Sequence, residues 1–168
     1  MKSNGSTYVV VVFAALLGYF SYQWWFNPAR AVKKRLGEVA AALSVPTTDT
    51  EIGRVARLAR LRGYLAEDLQ VRIGTPARDL TPRDVVLGAF STWTPPPGGW
   101  DVQFTDSQIT MESDSAARAY LTVEMTSYNQ RNGQPTLEAR EAAVALAKRG
   151  GVWVITSAES KETLNRQD

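Results

Sequence analysis

The 168-residue chain contains no cysteine and no histidine. The missing cysteines exclude a disulfide framework, a thiolate metal site, a cysteine nucleophile and a lipid anchor on cysteine, and they suit either side of a membrane. The missing histidines remove the commonest transition-metal ligand, a usual axial ligand of haem and the usual general base near neutral pH. Any chemistry must therefore run on Asp, Glu, Tyr, Lys or Arg. The charges nearly cancel: 19 basic against 17 acidic residues leave a net charge of +2, too small to point to nucleic acid. No Asp-x-Asp loop of the calcium type occurs; Glu112 and Asp114, flanking Ser113, sit in an expected hairpin turn, the ordinary home of such residues. Gly98-Gly99 follows three prolines and leads into a strand, whereas a phosphate cradle needs a helix N-terminus after it. The expectation is no metal or cofactor residue and no nucleic-acid partner.

One long apolar run is present. Residues 3–29 carry no charge, and Tyr8 to Phe26 is almost wholly apolar. As a helix this stretch measures roughly 28 Å, close to the hydrocarbon thickness of a bilayer. Tyr22, Trp24, Trp25 and Phe26 cluster at its end as an aromatic belt would, and Arg30, Lys33, Lys34 and Arg35 follow where headgroup phosphates sit. Ala29-Arg30-Ala31 matches a signal-peptidase pattern, but the run exceeds a signal peptide's apolar core and the segment before it has only Lys2. Residues 1–27 are thus expected to form an uncleaved single-pass anchor, with the bilayer as a partner. Ala14, Ala15 and Gly18 offer a small patch for contact with another membrane helix. The basic cluster favours a cytoplasmic domain.

The remaining length suits one domain. Asn27 and Pro28 make an N-cap and first position for a helix running to about Ser44, with Val32, Leu36, Val39, Ala40 and Leu43 at helical spacing. Thr48-Asp-Thr-Glu51 is a capping box for a second helix with Ile52, Val55, Leu58, Leu61 and Leu65 inward. Its Arg54, Arg57, Arg60 and Arg62 form a basic face, fit for lipid headgroups or an acidic partner, though a solvated face is the default. Leu69–Ile73 alternates as a first strand. Thr81-Pro82 opens a third helix with Val85, Val86, Leu87, Phe90 and Trp93 inward. Pro95-Pro-Pro-Gly-Gly99 breaks the chain, and antiparallel strands follow. They are Trp100–Met111, bent or interrupted; Ala117–Tyr128, alternating; Thr136–Lys148, whose alanines suit helix and whose flanking turns suit strand; and Val152–Thr156. A polar tail, 159–168, closes the chain.

This order is that of an α+β roll. With Leu65-Ala-Glu-Asp-Leu-Gln-Val-Arg-Ile73, Leu80-Thr-Pro-Arg-Asp-Val-Val86 and Lys148-Arg-Gly-Gly-Val-Trp-Val-Ile155, residues 28–158 resemble the nuclear transport factor 2-like, or SnoaL-like, superfamily. The resemblance implies three helices on a curved antiparallel sheet, closed into a cone that Tyr64, Phe90, Trp93, Trp153 and Ile155 would line. It also implies a bacterial-type inner membrane with the domain outside the cytoplasm, against the charge rule. Such domains include isomerases, dehydratases, small-ligand binders and assembly domains, and fold does not choose among them. Isomerase-like chemistry needs a carboxylate base and Tyr donors in an apolar cavity. Asp68, Asp101, Glu124 and Glu141 with Tyr64 and Tyr120 are the candidates by type, and none sits in a matching catalytic motif; Glu124 is expected to pair with Arg140 across the sheet. The favoured expectation is a non-enzymatic accessory or scaffold subunit of a larger membrane complex, energy-transducing, photosynthetic or secretory, with other membrane subunits as partners. The alternative is a membrane-tethered binder or isomerase-like enzyme for a small apolar ligand.

Overall fold

The computed structural model describes residues 12–18, 28–74, 78–93, 98–128 and 134–161. Residues 12–18 are helical, and Val12, Phe13, Leu16 and Leu17 are exposed. Among the described residues no helix is long and apolar enough to cross a membrane. The expected span from Tyr8 to Phe26 therefore gains no support, and its remainder, with Tyr22, Trp24, Trp25, Phe26 and the Asn27 cap, lies outside the described residues.

Helix α1, Pro28–Leu43, buries Val32, Leu36, Val39 and Ala40, one stripe at 3.6-residue spacing. Helix α2, Glu51–Tyr64, is capped by Thr50, whose side chain accepts from the Gly53 amide at 3.0 Å. The cap is thus Thr50 and not Thr48, because the helix begins at Glu51, and Asp49 is engaged instead by two arginines. The Asp49 carboxylate accepts from both terminal nitrogens of Arg57 at 2.7 Å, with Arg54 at 3.6 Å. The Arg57 hydrogen bonds hold its pKa below the usual 3.8 against the opposing effect of burial. A depressed carboxylate pKa contributes stability above 3.8 that is lost as pH falls through the folded value. Asp49→Asn is expected to destabilise the domain by about 1 kcal/mol at neutral pH. The gap should close in acid, where the parent carboxylate is also neutral; thermal melting of both proteins across pH checks it.

Only the C-terminal half of α2 is covered. Leu61 is buried and Leu58 half-buried, whereas Ile52 is 83% and Val55 62% exposed, against the expected inward face. The arc of α2 that turns to the domain is instead centred on Leu61, Arg57, Arg54 and Leu58. Helix α2 runs without a loop into strand β1, Leu65–Ile73, which begins four residues before the expected start. A three-residue strand β2, Arg78–Leu80, was not expected. Helix α3, Arg83–Thr92, buries Val86; Val85 points outward and Trp93 stands just past the helix end.

The sheet has the order β2-β1-β6-β5-β4-β3, with β3 Trp100–Ser113, β4 Ala116–Tyr128, β5 Pro135–Arg149 and β6 Val152–Lys161. It is not wholly antiparallel, because β1 pairs with β6 in parallel, Gln70 opposite Ser157 and Arg72 opposite Glu159. That pairing explains why β6 continues to Lys161, past the expected strand end at Thr156 and into the expected tail: it has β1 on one side and β5 on the other. The alanine-rich stretch is a strand for the same reason, paired with β4 from Pro135 to Ala147 and with β6 from Glu141 to Arg149. Gly150 and Gly151 turn β5 into β6 with φ of 58° and 82°, a two-residue turn that needs left-handed backbone. Register shifts in β3 between Thr105 and Gln108, in β6 at Thr156 opposite Ala145 and Leu146, and in β1 between Leu65 and Gln70 curve the sheet. Asp106 takes up the first of these with φ of 48°. The helices lie on the concave face, where Val32, Leu36, Leu61 and Val86 meet Ala117, Ala119, Leu121, Val144, Leu146, Trp153 and Ile155.

Candidate functional site

The core does not fill the cone. Between α3 and the sheet lies a cavity of about 570 Å³, within the range of small-molecule sites, about 300–1,000 Å³. The helices supply Val39, Leu43, Leu61, Val86, Ala89 and Phe90, with Trp93 at the end of α3. Strands β1 and β2 add Leu65, Leu69, Val71 and Leu80. Strands β3 to β6 add Phe104, Leu121, Val123, Ala142, Val144, Ile155 and Ala158. Strand alternation explains the set: Leu121 and Val123 point inward and Tyr120, Thr122 and Glu124 away. Trp93 is held at the rim by stacking, its ring 4.7 Å from Trp100 and 6.3 Å from Phe90.

Polar chemistry is confined to one edge of this lining. Arg72, Glu159 and Ser160 stand there, and Arg72 is engaged by Asp79 at 3.0 Å and Glu159 at 3.8 Å. The Asp79 hydrogen bond raises the Arg72 pKa, so the guanidinium stays charged. Among the described residues no polar or charged residue is buried.

The candidate acids are elsewhere. Asp68 is exposed on β1 and forms a two-point ion pair with Arg149, at 2.8 and 2.9 Å, which lowers its pKa. Asp101 is exposed and accepts from Gln103 at 2.8 Å and Ser44 at 3.3 Å. Glu124 does not pair with Arg140: the register sets it opposite Ala139, and it accepts from Thr105 at 2.9 Å. Glu141 is exposed opposite Thr122, on the convex face. Tyr64 lies under the Arg35 guanidinium, 4.7 Å from the ring centroid, outside the cavity lining. Tyr120 is exposed on the convex face. Trp153 belongs to the packed core and not to the lining, while Phe90, Trp93 and Ile155 line the cavity. Arg30, Lys33 and Lys34 project from α1 into solvent. Glu159, at the edge beside Arg72, is the one carboxylate among the described lining residues, and the rest of the lining is almost wholly apolar.

Sequence reasoning did not single out Phe104, Leu121, Val123, Ala142 or Ala158 as lining. The alternation of β4 marked Leu121 and Val123 as inward; Ala142 was hidden by the helix-strand ambiguity, and Ala158 by the early end expected for β6.

No protein-family model matches the chain. No curated protein sequence matches it either. Solved structures do. A candidate scytalone dehydratase from Novosphingobium aromaticivorans aligns with TM-score 0.63 at 16% identity, over 82% of this chain and 85% of that one. The CaMKII hub homology domain of Chlamydomonas reinhardtii aligns with TM-score 0.63 at 16% identity, over 81% of this chain and 98% of that one. An NTF2-like protein of unknown function from Shewanella oneidensis MR-1 aligns with TM-score 0.58 at 18% identity, over 80% of this chain and 99% of that one. At such identities the likeness is one of fold: the domain is an α+β cone of the nuclear transport factor 2-like type.

Proposed function

We propose that this chain is a membrane-tethered module that binds a small apolar molecule in its cone without acting on it chemically. One observation carries the reading: a cavity of about 570 Å³ with an aliphatic and aromatic lining and ionisable groups only at its edge. Burial of apolar ligand surface is the driving force available there. The uncharged run of residues 3–29 supplies the tether.

The test is titration of the full chain, in detergent, with the uncharged fluorophore N-phenyl-1-naphthylamine. Saturable binding at one site per chain is expected. Ala142→Trp and, separately, Val123→Phe place bulk in the cavity and are expected to weaken binding at least about tenfold, the scale of lost apolar contact. Circular dichroism of each variant checks that the sheet is retained. Absence of saturable binding to the parent, or unchanged affinity in both folded variants, would overturn the reading.

A second reading, an accessory subunit docked on a membrane assembly, draws on Tyr120 and Leu137, both exposed on the convex face of the sheet. Native mass in mild detergent separates them: a chain running alone as a monomer would remove the subunit reading.

A further inference from the structure

The outward face of α2 is apolar at its centre, with Arg60 on one flank and Arg62 on the other, the latter flank also carrying Glu51 in the first turn. Ile52, Val55, Ala56 and Ala59 recur at helical spacing and all are exposed. Arg60 borders this stripe on one side and Arg62 on the other, by the same 100° rotation per residue. Arg62 lies 3.5 Å from Asp84, and no ion pair engages Arg60 among the described residues. The outward face of α1 adjoins it: Ala41 lines one cleft with Gly53, Ala56 and Arg60, and Lys34 stands two turns from Ala41 on that face, 4.0 Å from Glu38 between them and itself 81% exposed.

Charge along the chain is divided in the same sense. Residues 28–64 hold eight basic against three acidic side chains, and residues 65–168 hold ten basic against fourteen acidic. An anionic surface would attract the helix pair and repel the rest of the domain. An apolar stripe with cationic flanks is also the pattern of a helix lying at a lipid interface.

We propose that the α1–α2 face docks on an anionic bilayer, with Ile52 and Val55 at the acyl boundary and Lys34, Arg60 and Arg62 among the phosphates. The occupant is lipid because charge complementarity and the adjoining uncharged run both point to it. The inference uses the tether of the preceding reading for proximity and does not depend on the cavity. It also accounts for two large apolar side chains left uncovered by the domain itself.

Because the chain has no cysteine, a single introduced one reports without background. The full chain carrying Ile52→Cys, labelled with an environment-sensitive nitrobenzoxadiazole, is reconstituted into two vesicle types. One is phosphatidylcholine alone; the other contains phosphatidylglycerol as well. Expected are blue-shifted emission and quenching by spin-labelled lipid in the phosphatidylglycerol vesicles, reversal by salt, and little response in phosphatidylcholine. Leu137→Cys, on the convex face, should stay water-exposed in both. Adding Arg60→Glu and Arg62→Glu should weaken the response at least about tenfold, since each basic side chain near an anionic leaflet is worth roughly fivefold. Alkaline extraction of the same vesicles reads the tether separately. A chain that resists extraction while its Ile52 probe stays wet in phosphatidylglycerol vesicles sinks the docking and keeps the tether. A shielded probe on a chain removed by extraction keeps the docking and sinks the tether. Shielding that is indifferent to salt and lipid, with a doubled mass, assigns the face to a second copy and overturns the proposal.

Discussion

Leu146→Ala is expected to destabilise the domain by about 4 kcal/mol, lowering the melting temperature by on the order of 10 °C. Leu146 is 1% exposed near the C-terminal end of β5, between Ala117 on β4 and Ile155 on β6, and both of these neighbours are buried. It lies outside the lining of the large cavity, in the packed part of the cone. Truncation there removes apolar contact and leaves a new hole that a strand paired on both sides cannot close. Leu69, also buried, borders the existing cavity. Removing its side chain widens a space already present, so Leu69→Ala is expected at the lower end, about 2–3 kcal/mol. Urea unfolding with an unchanged slope measures both. Equal losses at the two sites would mean that the cavity collapses in solution, which would also undermine the binding proposal.

Gly99→Ala is the second large effect, at about 3 kcal/mol, as the sum of left-handed backbone strain and a steric clash. Gly99 has φ of 72°, and a Cβ there would land on the carbonyl oxygen of Val45 and against Pro46. That closeness is built into the fold. Val45 and Trp100 exchange amide hydrogen bonds at 2.8 and 3.0 Å, adding the stretch after α1 to the edge of β3. The Trp100 indole donates to the Leu43 carbonyl at 2.7 Å, satisfying a carbonyl at the end of α1. An alanine at position 99 must break this junction, and Trp93, stacked on Trp100, would lose its support at the cavity rim. Gly74→Ala is the control. Its φ of 79° is similar but, among the described residues, nothing lies within 4 Å of the added Cβ, so strain alone, roughly 1 kcal/mol, is expected. If the two variants unfold alike, the Val45 junction is not what makes Gly99 necessary.

Local pattern was enough for much of this architecture. The stripe Val32, Leu36, Val39 and Ala40 specified a helix and its buried face, because 3.6-residue spacing has one solution. Alternation in β4 specified a strand and its two faces, and Gly150-Gly151 specified the hairpin. The lack of histidine and cysteine confined any chemistry to a few residue types before a fold was considered. Tertiary structure decided what depends on distant neighbours. The stretch Pro135–Arg149 is a strand because β4 and β6 pair with it, overriding the helix preference of its alanines. Strand β6 persists to Lys161 because β1 returns beside it in parallel. Ile52 and Val55 carry the period of a buried face, yet the domain offers nothing to cover them. The open cone follows from the same cause. Whether inward side chains meet or leave a cavity depends on the distance between α3 and the curved sheet, and only the assembled fold sets that distance.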